Sequence, residues 1–140
     1  MSFHDTADIL DMILSEQPCI EFVQLQFNYL DYDDPGAQSK KCYDVAVKHG
    51  KKVVVMEPVR GGSLANPPEQ AARVFDELGK NVSYASYALR YAASFPKVFM
   101  VLSGMGNMDM MNDNIKTFKD FQLTLLLYLL QYLHSREFHL

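Results

Sequence analysis

In Lys52-Val53-Val54-Val55-Met56-Glu57-Pro58-Val59-Arg60-Gly61-Gly62, an apolar β-branched run passes directly into a polar turn that carries two glycines. The pattern recurs in Lys97-Val98-Phe99-Met100-Val101-Leu102-Ser103-Gly104-Met105-Gly106-Asn107, and a helical pattern follows each turn. Uninterrupted runs of this kind are typical of strands buried on both faces of a parallel sheet. Because ligands of parallel α/β folds bind where loops leave the carboxyl ends of strands, both turns are predicted to border one site for a phosphate-bearing ligand.

The rest of the chain alternates between helical and strand patterns. Helices are predicted over 5–15, 38–49, 67–78, 83–94, 107–118 and 122–136, and strands over 21–27, 53–55 and 98–102, with a stub at 2–4. Asp5 or Thr6 is expected to cap the first helix, and Asn107 or Asp109 the fifth. Strands separated by helices imply a parallel sheet with right-handed crossovers. Since a barrel of this kind needs eight strands, three full strands predict part of a larger structure.

The composition excludes several classes of protein. With 140 residues, of which 49% are apolar and 21% charged, the chain is predicted to form one globular domain and not a disordered segment. A net charge of -4 without a basic stripe argues against a nucleic-acid partner. Met1-Ser2-Phe3-His4-Asp5 lacks the features of a signal peptide, and the apolar run 123–133 is about half as long as a membrane-spanning helix. We therefore expect a cytoplasmic protein with no membrane partner and with that run buried against protein.

Several residue groups have ordinary structural interpretations. Cys19 and Cys42 are expected to be reduced, buried thiols, and His4 a structural hydrogen-bonding residue. Aspartates in the loop 28–35 are expected to be solvated, and methionines near the second glycine turn are expected to fill gaps in the core and its loops. These residues are Asp31, Asp33 and Asp34, and Met105, Met108, Met110 and Met111. No metal site is predicted, because His134 and His139 lack carboxylate or cysteine partners.

Four segments in order resemble the aldo/keto reductases, and most closely a bacterial branch of predicted oxidoreductases. The segments are Ser2-Phe3-His4-Asp5, Phe22-Val23-Gln24-Leu25-Gln26-Phe27-Asn28-Tyr29, Met56-Glu57-Pro58-Val59-Arg60-Gly61-Gly62, and Leu102-Ser103-Gly104-Met105-Gly106-Asn107 with Asp113-Asn114. The resemblance implies a (β/α)8 TIM barrel that binds NADPH or NADH at its C-terminal mouth. This chain is then a partial (β/α)8 barrel, about strands 5–8 and their helices over 1–121, followed by an apolar C-terminal helix and tail over 122–140.

The resemblance also assigns cofactor contacts. Ser2 and Gln24 match family residues that hydrogen-bond the nicotinamide carboxamide. The pyrophosphate loop corresponds to Glu57, Pro58, Val59, Arg60, Gly61 and Gly62, and the adenosine phosphate and adenine contacts to Ser103, Gly104, Met105, Asn107 and Asn114. These assignments agree with the chemistry, because glycines let a backbone approach a diphosphate, a helix N-terminus offers N–H groups to a phosphate, and arginine pairs with oxyanions.

The sequence departs from the family near the chemistry. Phe3 stands where many members have asparagine, Met56-Glu57-Pro58 replaces an aromatic residue that stacks on the nicotinamide, and Met110 replaces a basic residue typical of NADPH-specific members. The choice between NADPH and NADH therefore stays open. The family's catalytic aspartate, tyrosine, lysine and histidine come from its first four strands, which this chain is expected to lack. Cys19 and Cys42 cannot hold the iron–sulfur cluster found in part of that branch.

Three functional hypotheses follow from the resemblance. The chain is a truncated reductase that binds nicotinamide dinucleotide and is inactive alone, or it reduces a small carbonyl substrate when a partner supplies a complementing N-terminal half. Alternatively, it is a non-enzymatic barrel fragment that forms a homo-oligomer through its apolar C-terminal helix. The loops that define the substrate lie largely in the other half of the family's barrel, so no substrate is assigned.

Overall fold

The computed structural model describes residues 1–77, 82–119 and 121. These residues form the α-helices α1 (Ala7–Glu16), α2 (Ser39–Lys48), α3 (Glu69–Glu77), α4 (Tyr84–Ala93) and α5 (Met108–Lys119), the strands β1 (Phe22–Gln26), β2 (Lys52–Met56) and β3 (Val98–Val101), and a short 3-10 turn at Ser63–Ala65. The sequence predicted every one of these helices and strands, with ends that differ by at most two residues. The helix predicted over 122–136 lies outside the described residues.

The three strands form one parallel sheet in the order β1-β2-β3. Val23 pairs with Val53 and Gln26 with Met56, so β1 and β2 end level with each other. The predicted stub adds to the free edge of β1 through a parallel bridge between Ser2 and Gln24. On the other side, the β2–β3 register shifts between Val53 and Val54. The predicted parallel sheet with intervening helices is therefore confirmed.

One face of the sheet is packed against helices. Val23, Leu25, Val53 and Val55 point to this face and are fully buried, because side chains alternate between the two faces of a strand. α2 contacts β1 and β2, α1 packs on α2, and α4 contacts β3. Beyond the end of β1, the Phe27 ring contacts a group of buried and half-buried rings, namely Tyr32, Tyr43, Tyr91 and Phe95.

The opposite face of the sheet carries exposed apolar side chains. Phe22 is 38% exposed, and Phe99 and Met100 are each 49% exposed. The Phe22 and Phe99 rings meet edge-on with centroids 5.9 Å apart, and the Lys52 ammonium lies 5.6 Å from the Phe99 centroid. In the middle of this face Val54 is only 4% exposed, so β2 is buried on both sides as its sequence predicted. A second layer would bury the three exposed side chains.

The structure agrees with the predicted ends of α5 and α2 but not with the predicted cap of α1. Asn107 caps α5, because its Oδ1 accepts the Met110 N–H at 2.9 Å. The predicted side-chain cap of α1 is wrong: Thr6 occupies the cap position without a capping bond, and Asp5 accepts the N–H of Thr6 itself. Gly50 ends α2 with a φ of 69°, the left-handed conformation in which glycine carries no Cβ penalty.

Three expectations about burial are wrong. The methionines 105, 108, 110 and 111 do not fill the core, because all four are exposed on and before α5. Cys19 is exposed, whereas Cys42 is buried as expected. Asp31 is not solvated but almost completely buried. Within the described residues, no helix is long and apolar enough to cross a membrane.

Candidate functional site

Ser2 and Gln24 lie side by side where the stub meets β1. Their backbone bridge aligns the two side chains, and Gln24 Nε2 lies 3.4 Å from Ser2 Oγ. Met56, at the end of β2, completes the group, with its sulfur 3.4 Å from Gln24 Nε2 and 3.9 Å from Ser2 Oγ. Since β1 alternates, Gln24 points to the sheet face opposite the helices. His4 shares a hydrogen bond with Ser2 Oγ at 3.0 Å, as expected of a structural histidine.

The turn after β2 has an unusual backbone. Arg60, Gly61 and Gly62 follow one another with φ of 49°, 60° and 90°, and Glu57 also has a positive φ of 54°. Gly62 faces open space, so its conformation and not crowding requires glycine there. The conformational freedom predicted for the two glycines is used at both positions.

Most backbone N–H groups of this turn bond within the turn. The N–H groups of residues 60, 62, 63 and 64 donate to backbone carbonyls at 3.1–3.2 Å. The N–H of Gly61 instead donates to a side-chain oxygen, Oε2 of Glu57, at 2.5 Å. A carboxylate on this N–H occupies the kind of position that a ligand's anion would take. Pro58 is buried and Val59 half-buried, so the remainder of the turn packs on the protein.

Arg60 forms an ion pair that the sequence did not predict. Its Nε lies 2.9 Å from Oδ1 of Asp31, whose side chain is 3% exposed while that of Arg60 is 49% exposed. Oδ2 of Asp31 accepts hydrogen bonds from Gln26 Nε2 and Asn28 Nδ2, both at 2.7 Å. Three donors therefore balance the buried carboxylate. The signal that could have indicated this burial is the Asn28-Tyr29-Leu30-Asp31 turn directly after a buried strand.

The loop after β3 is tied to the following helix. Asn114, on α5, donates from Nδ2 to Ser103 Oγ at 2.9 Å, so two residues assigned to the adenosine end of the cofactor are in contact. Asn107 caps the same helix, while Gly104 and Met105 are exposed. Leu102 N–H donates to Val55 O at 2.9 Å, which places this loop beside the end of β2.

The sequence profile of the aldo/keto reductase family matches residues 1–125. The chain belongs to the aldo/keto reductase family. Among solved structures it is similar to the aldo-keto reductase AKR11C1 from Bacillus halodurans. The holo form matches with a TM-score of 0.67 at 19% identity over 91% of this chain, and the apo form with 0.69 at 18% identity over 93%. A comparison with curated proteins gave no match.

This aldo/keto reductase chain spans about half of those solved relatives, since each match covers 48% of the relative's length. The predicted fold class, a partial TIM barrel of the aldo/keto reductase type, is confirmed. The family generally uses NAD(P)H and reduces carbonyl substrates. Within the described residues, no group of three or more His, Cys, Asp or Glu side chains could hold a metal ion.

Seen as part of an aldo/keto reductase, the assigned residues form three groups. Ser2 and Gln24 form the first, the turn with Glu57, Arg60 and Gly61 the second, and Ser103 with Asn114 the third. The first two adjoin, because Met56 contacts Ser2 and Gln24 and directly precedes Glu57. The third follows β3, which pairs with β2. The three groups lie on the stub, on β1, on the loops after β2 and β3, and on α5.

A cavity of about 380 Å³ opens beside Arg60, between the stub, the end of β1 and the loop that leads into α2. His4, Gln26, Asp31 and Arg60 line its polar part, and Leu25 and Cys42 its apolar part. Burial raises the pKa of the Cys42 thiol, which keeps it protonated near neutral pH. Of the residues assigned to the aldo/keto reductase cofactor, Arg60 lines this cavity.

Two tyrosines, half-buried Tyr29 and buried Tyr91, are poor candidates for the family's proton donor. Burial raises the pKa of Tyr29 to about 12, and it raises the pKa of Tyr91 as well. Both rings pack on other rings, Tyr29 on Phe75 and Tyr91 on Phe27. An acid catalyst is most effective when its pKa lies near the working pH, and these shifts go in the opposite direction.

Proposed function

We propose that this chain is the cofactor-binding part of an NAD(P)H-dependent aldo/keto reductase, which transfers a hydride to a small carbonyl compound and yields an alcohol. The observation that carries the proposal is the contact between Gln24 and Ser2 on the open side of the sheet. A glutamine amide and a serine hydroxyl together offer donors and acceptors, the set that a nicotinamide carboxamide requires. When bound, the cofactor supplies the hydride.

The other two groups support the same ligand. Ser103 and Asn114 offer a hydroxyl and an amide to the adenosine end, and their mutual hydrogen bond holds both side chains in place. Arg60 and the Gly61 N–H offer positive charge and a backbone donor to the diphosphate between the two ends. The Glu57 carboxylate now bonded to Gly61 has to move aside for that contact.

The proton that completes carbonyl reduction needs an acid outside this set. The family's tyrosine and its lysine partner come from strands with no counterpart in the described residues. We therefore infer that the chain binds cofactor but reduces no carbonyl by itself, and that a complementing N-terminal half supplies the acid and the substrate loops. NADPH and NADH remain equal candidates, because Met110 provides no cation for a 2′-phosphate.

A thermal melt with and without millimolar NADPH or NADH tests cofactor binding. Ligand that binds only the folded state stabilises it by about 2.7 kcal/mol at a concentration of one hundred times Kd. Gln24→Ala is expected to abolish most of the shift, whereas Gln70→Ala, an exposed glutamine on α3, is expected to keep it. A wild-type melt that neither cofactor moves would refute the proposal.

A second function rests on the exposed apolar surfaces. Phe22, Phe99 and Met100 are exposed on the sheet, and a further stripe follows one side of α5. This stripe consists of Met108, Met111, Ile115 and Phe118, all exposed at helical spacing. Patches of this kind mark surfaces that another polypeptide covers. They favour a non-enzymatic fragment that associates with copies of itself, and the apolar segment 123–133 would extend the interface.

Sedimentation at two protein concentrations distinguishes the two functions. If the chain self-associates through these surfaces, the wild type forms a concentration-dependent oligomer. Met100→Asp on the sheet and Leu126→Asp or Leu130→Asp in the C-terminal segment each shift it toward the monomer. Lys116→Asp, which changes the charge of an exposed residue of α5 outside the stripe, serves as the control. A monomer at both concentrations that binds NADPH excludes the second function.

A further inference from the structure

Asp31 is a buried charge that links two loops. Its Oδ2 accepts the amides of Gln26 and Asn28 at 2.7 Å each, which leaves Oδ1 facing Arg60 Nε at 2.9 Å. The two amides thus fix the orientation of the carboxylate before Arg60 contacts it. Because an ion pair with one buried partner is held more rigidly than a pair of exposed side chains, Arg60 is restrained at its Nε edge.

Asn28 links the same two loops through hydrogen bonds to their backbone. Its Nδ2 also donates to the carbonyl of Glu57 at 3.0 Å, and its Oδ1 accepts the N–H groups of Leu30 and Asp31 at 3.1 and 2.9 Å. The loop after β1 and the turn after β2 are therefore joined by the hydrogen bond from the Asn28 side chain to the Glu57 carbonyl and by the Asp31–Arg60 ion pair. The turn that carries Arg60, Gly61 and Gly62 receives its position from the loop after β1.

We propose that Asp31 is a positioning residue that acts through Arg60, and that it holds the guanidinium where it contacts the diphosphate of the cofactor. This inference rests on the proposed function. Arg60 has a φ of 49°, a conformation that is costly for a residue with a side chain. Without an anchor, its half-exposed side chain would sample many rotamers, and ordering it on ligand binding would reduce affinity.

Asp31 also carries a negative charge near the site, and this charge opposes an anionic ligand. Two neutral amides share that charge, so Arg60 is not its only partner and keeps part of its own attraction for an anion. The positioning effect and the charge effect predict opposite results for Asp31→Asn. Loss of positioning weakens cofactor binding, whereas release of a sequestered arginine strengthens it.

The experiment is a double-mutant cycle of Asp31→Asn and Arg60→Ala, with the Kd of NADPH measured by calorimetry and the Tm of each apo protein recorded. Asp34→Asn, an exposed aspartate of the same loop, is the matched control. Asp31→Asn is expected to weaken NADPH binding by about tenfold, the value of one charge-assisted contact. The double variant is expected to bind no more weakly than Arg60→Ala alone, because coupled residues are not additive.

A purely structural role for Asp31 would lower the Tm and leave the Kd unchanged, which overturns the inference. Additive losses in the cycle, or tighter binding by Asp31→Asn, overturn it as well. If Asp31→Asn does not fold, Gln26→Met takes its place in the cycle. This change, at a half-buried position, removes one of the two amides that donate to Asp31 Oδ2. It is expected to weaken binding by about threefold, and only when Arg60 is present. A wild type that binds no NADPH overturns both the inference and the proposed function, whereas a wild type that binds while the variants equal it overturns the inference alone.

Discussion

Glu57 folds back onto its own turn, and its Oε2 accepts the backbone N–H of Gly61 at 2.5 Å. The neighbouring N–H groups of the turn donate to carbonyls, so this bond is the one that a ligand could replace without breaking the backbone structure of the turn. Glu57 itself has a φ of 54°, which is uncommon for a residue with a side chain. If the proposed cofactor binds here, this carboxylate competes with its diphosphate for the Gly61 N–H.

Glu57→Gln is expected to bind NADPH more tightly than the wild type, by about threefold to tenfold, because removal of a like charge favours the anionic ligand. Calorimetric titration of NADPH measures the change. Glu69→Gln, which removes an exposed carboxylate from the first turn of α3, is the control and should leave the Kd unchanged. Weaker NADPH binding by Glu57→Gln would contradict this competition. It would indicate that the Glu57 carboxylate accepts a hydrogen bond from the cofactor.

Asn114→Ala tests the adenosine end of the proposed cofactor site. The change removes the hydrogen bond to Ser103 Oγ and is expected to cost about 1 kcal/mol of folding free energy. If Asn114 also contacts the cofactor, the Kd of NADPH rises by about tenfold while binding of reduced nicotinamide mononucleotide, which has no adenosine, stays the same. Asn112→Ala, an exposed position on α5, controls for the helix itself. Equal losses for both ligands would contradict a contact at the adenosine end.

The fold could be predicted because its signals are local. The Val53-Val54-Val55 run, the alternation in β1 and the glycine that ends α2 each report on their own neighbourhood in the sequence. Pairs within the site could be anticipated only through the family resemblance, which placed Ser2 with Gln24 and Ser103 with Asn114. Strand alternation alone says only that Gln24 faces away from the helices.

Two features depended on contacts that no local pattern reveals. Asp31 looks like one of three loop aspartates, and its burial follows from Arg60 and Gln26, which come from other segments. The methionines near α5 have the composition of a core, yet the sides of α5 that face the protein carry Asp113, Asn114 and Thr117. An apolar side chain is predicted to be buried, but the sequence does not say whether the same chain or another molecule buries it.

The aromatic cluster around Phe27 is expected to dominate stability. Phe27 is completely buried and contacts the rings of Tyr32, Tyr43, Tyr91 and Phe95. Phe27→Ala should lower the free energy of unfolding by about 3–5 kcal/mol, the cost of an unfilled cavity of this size. Phe118→Ala removes an exposed ring on α5 and should change it by less than about 1 kcal/mol, which urea denaturation can distinguish. Similar losses for both variants would place Phe118 in a second core.

Tyr29 makes stability depend on alkaline pH. Burial raises its pKa from 10.0 to about 12, because the phenolate would lose its hydration among Phe75 and Tyr91. Below pH 10 the phenol is protonated in both the folded and the unfolded state, and its contribution is fully present. As the pH rises toward 12, the unfolded state ionises first, and this contribution is lost.

Urea midpoints at pH 8 and pH 11 measure this loss directly. Between the two pH values, the free energy of unfolding of the wild type is expected to fall by about 1 kcal/mol more than that of Tyr29→Phe, since the phenylalanine ring has no proton to release. Tyr91 remains neutral in the folded state over this range, because its pKa is raised as well, so its contribution is the same in both proteins. Tyr84→Phe, which removes an exposed hydroxyl that donates to Asp76, is the matched control. Its loss of unfolding free energy should be closer to that of the wild type. Parallel losses in wild type and Tyr29→Phe would mean that the Tyr29 hydroxyl is hydrated in the folded protein.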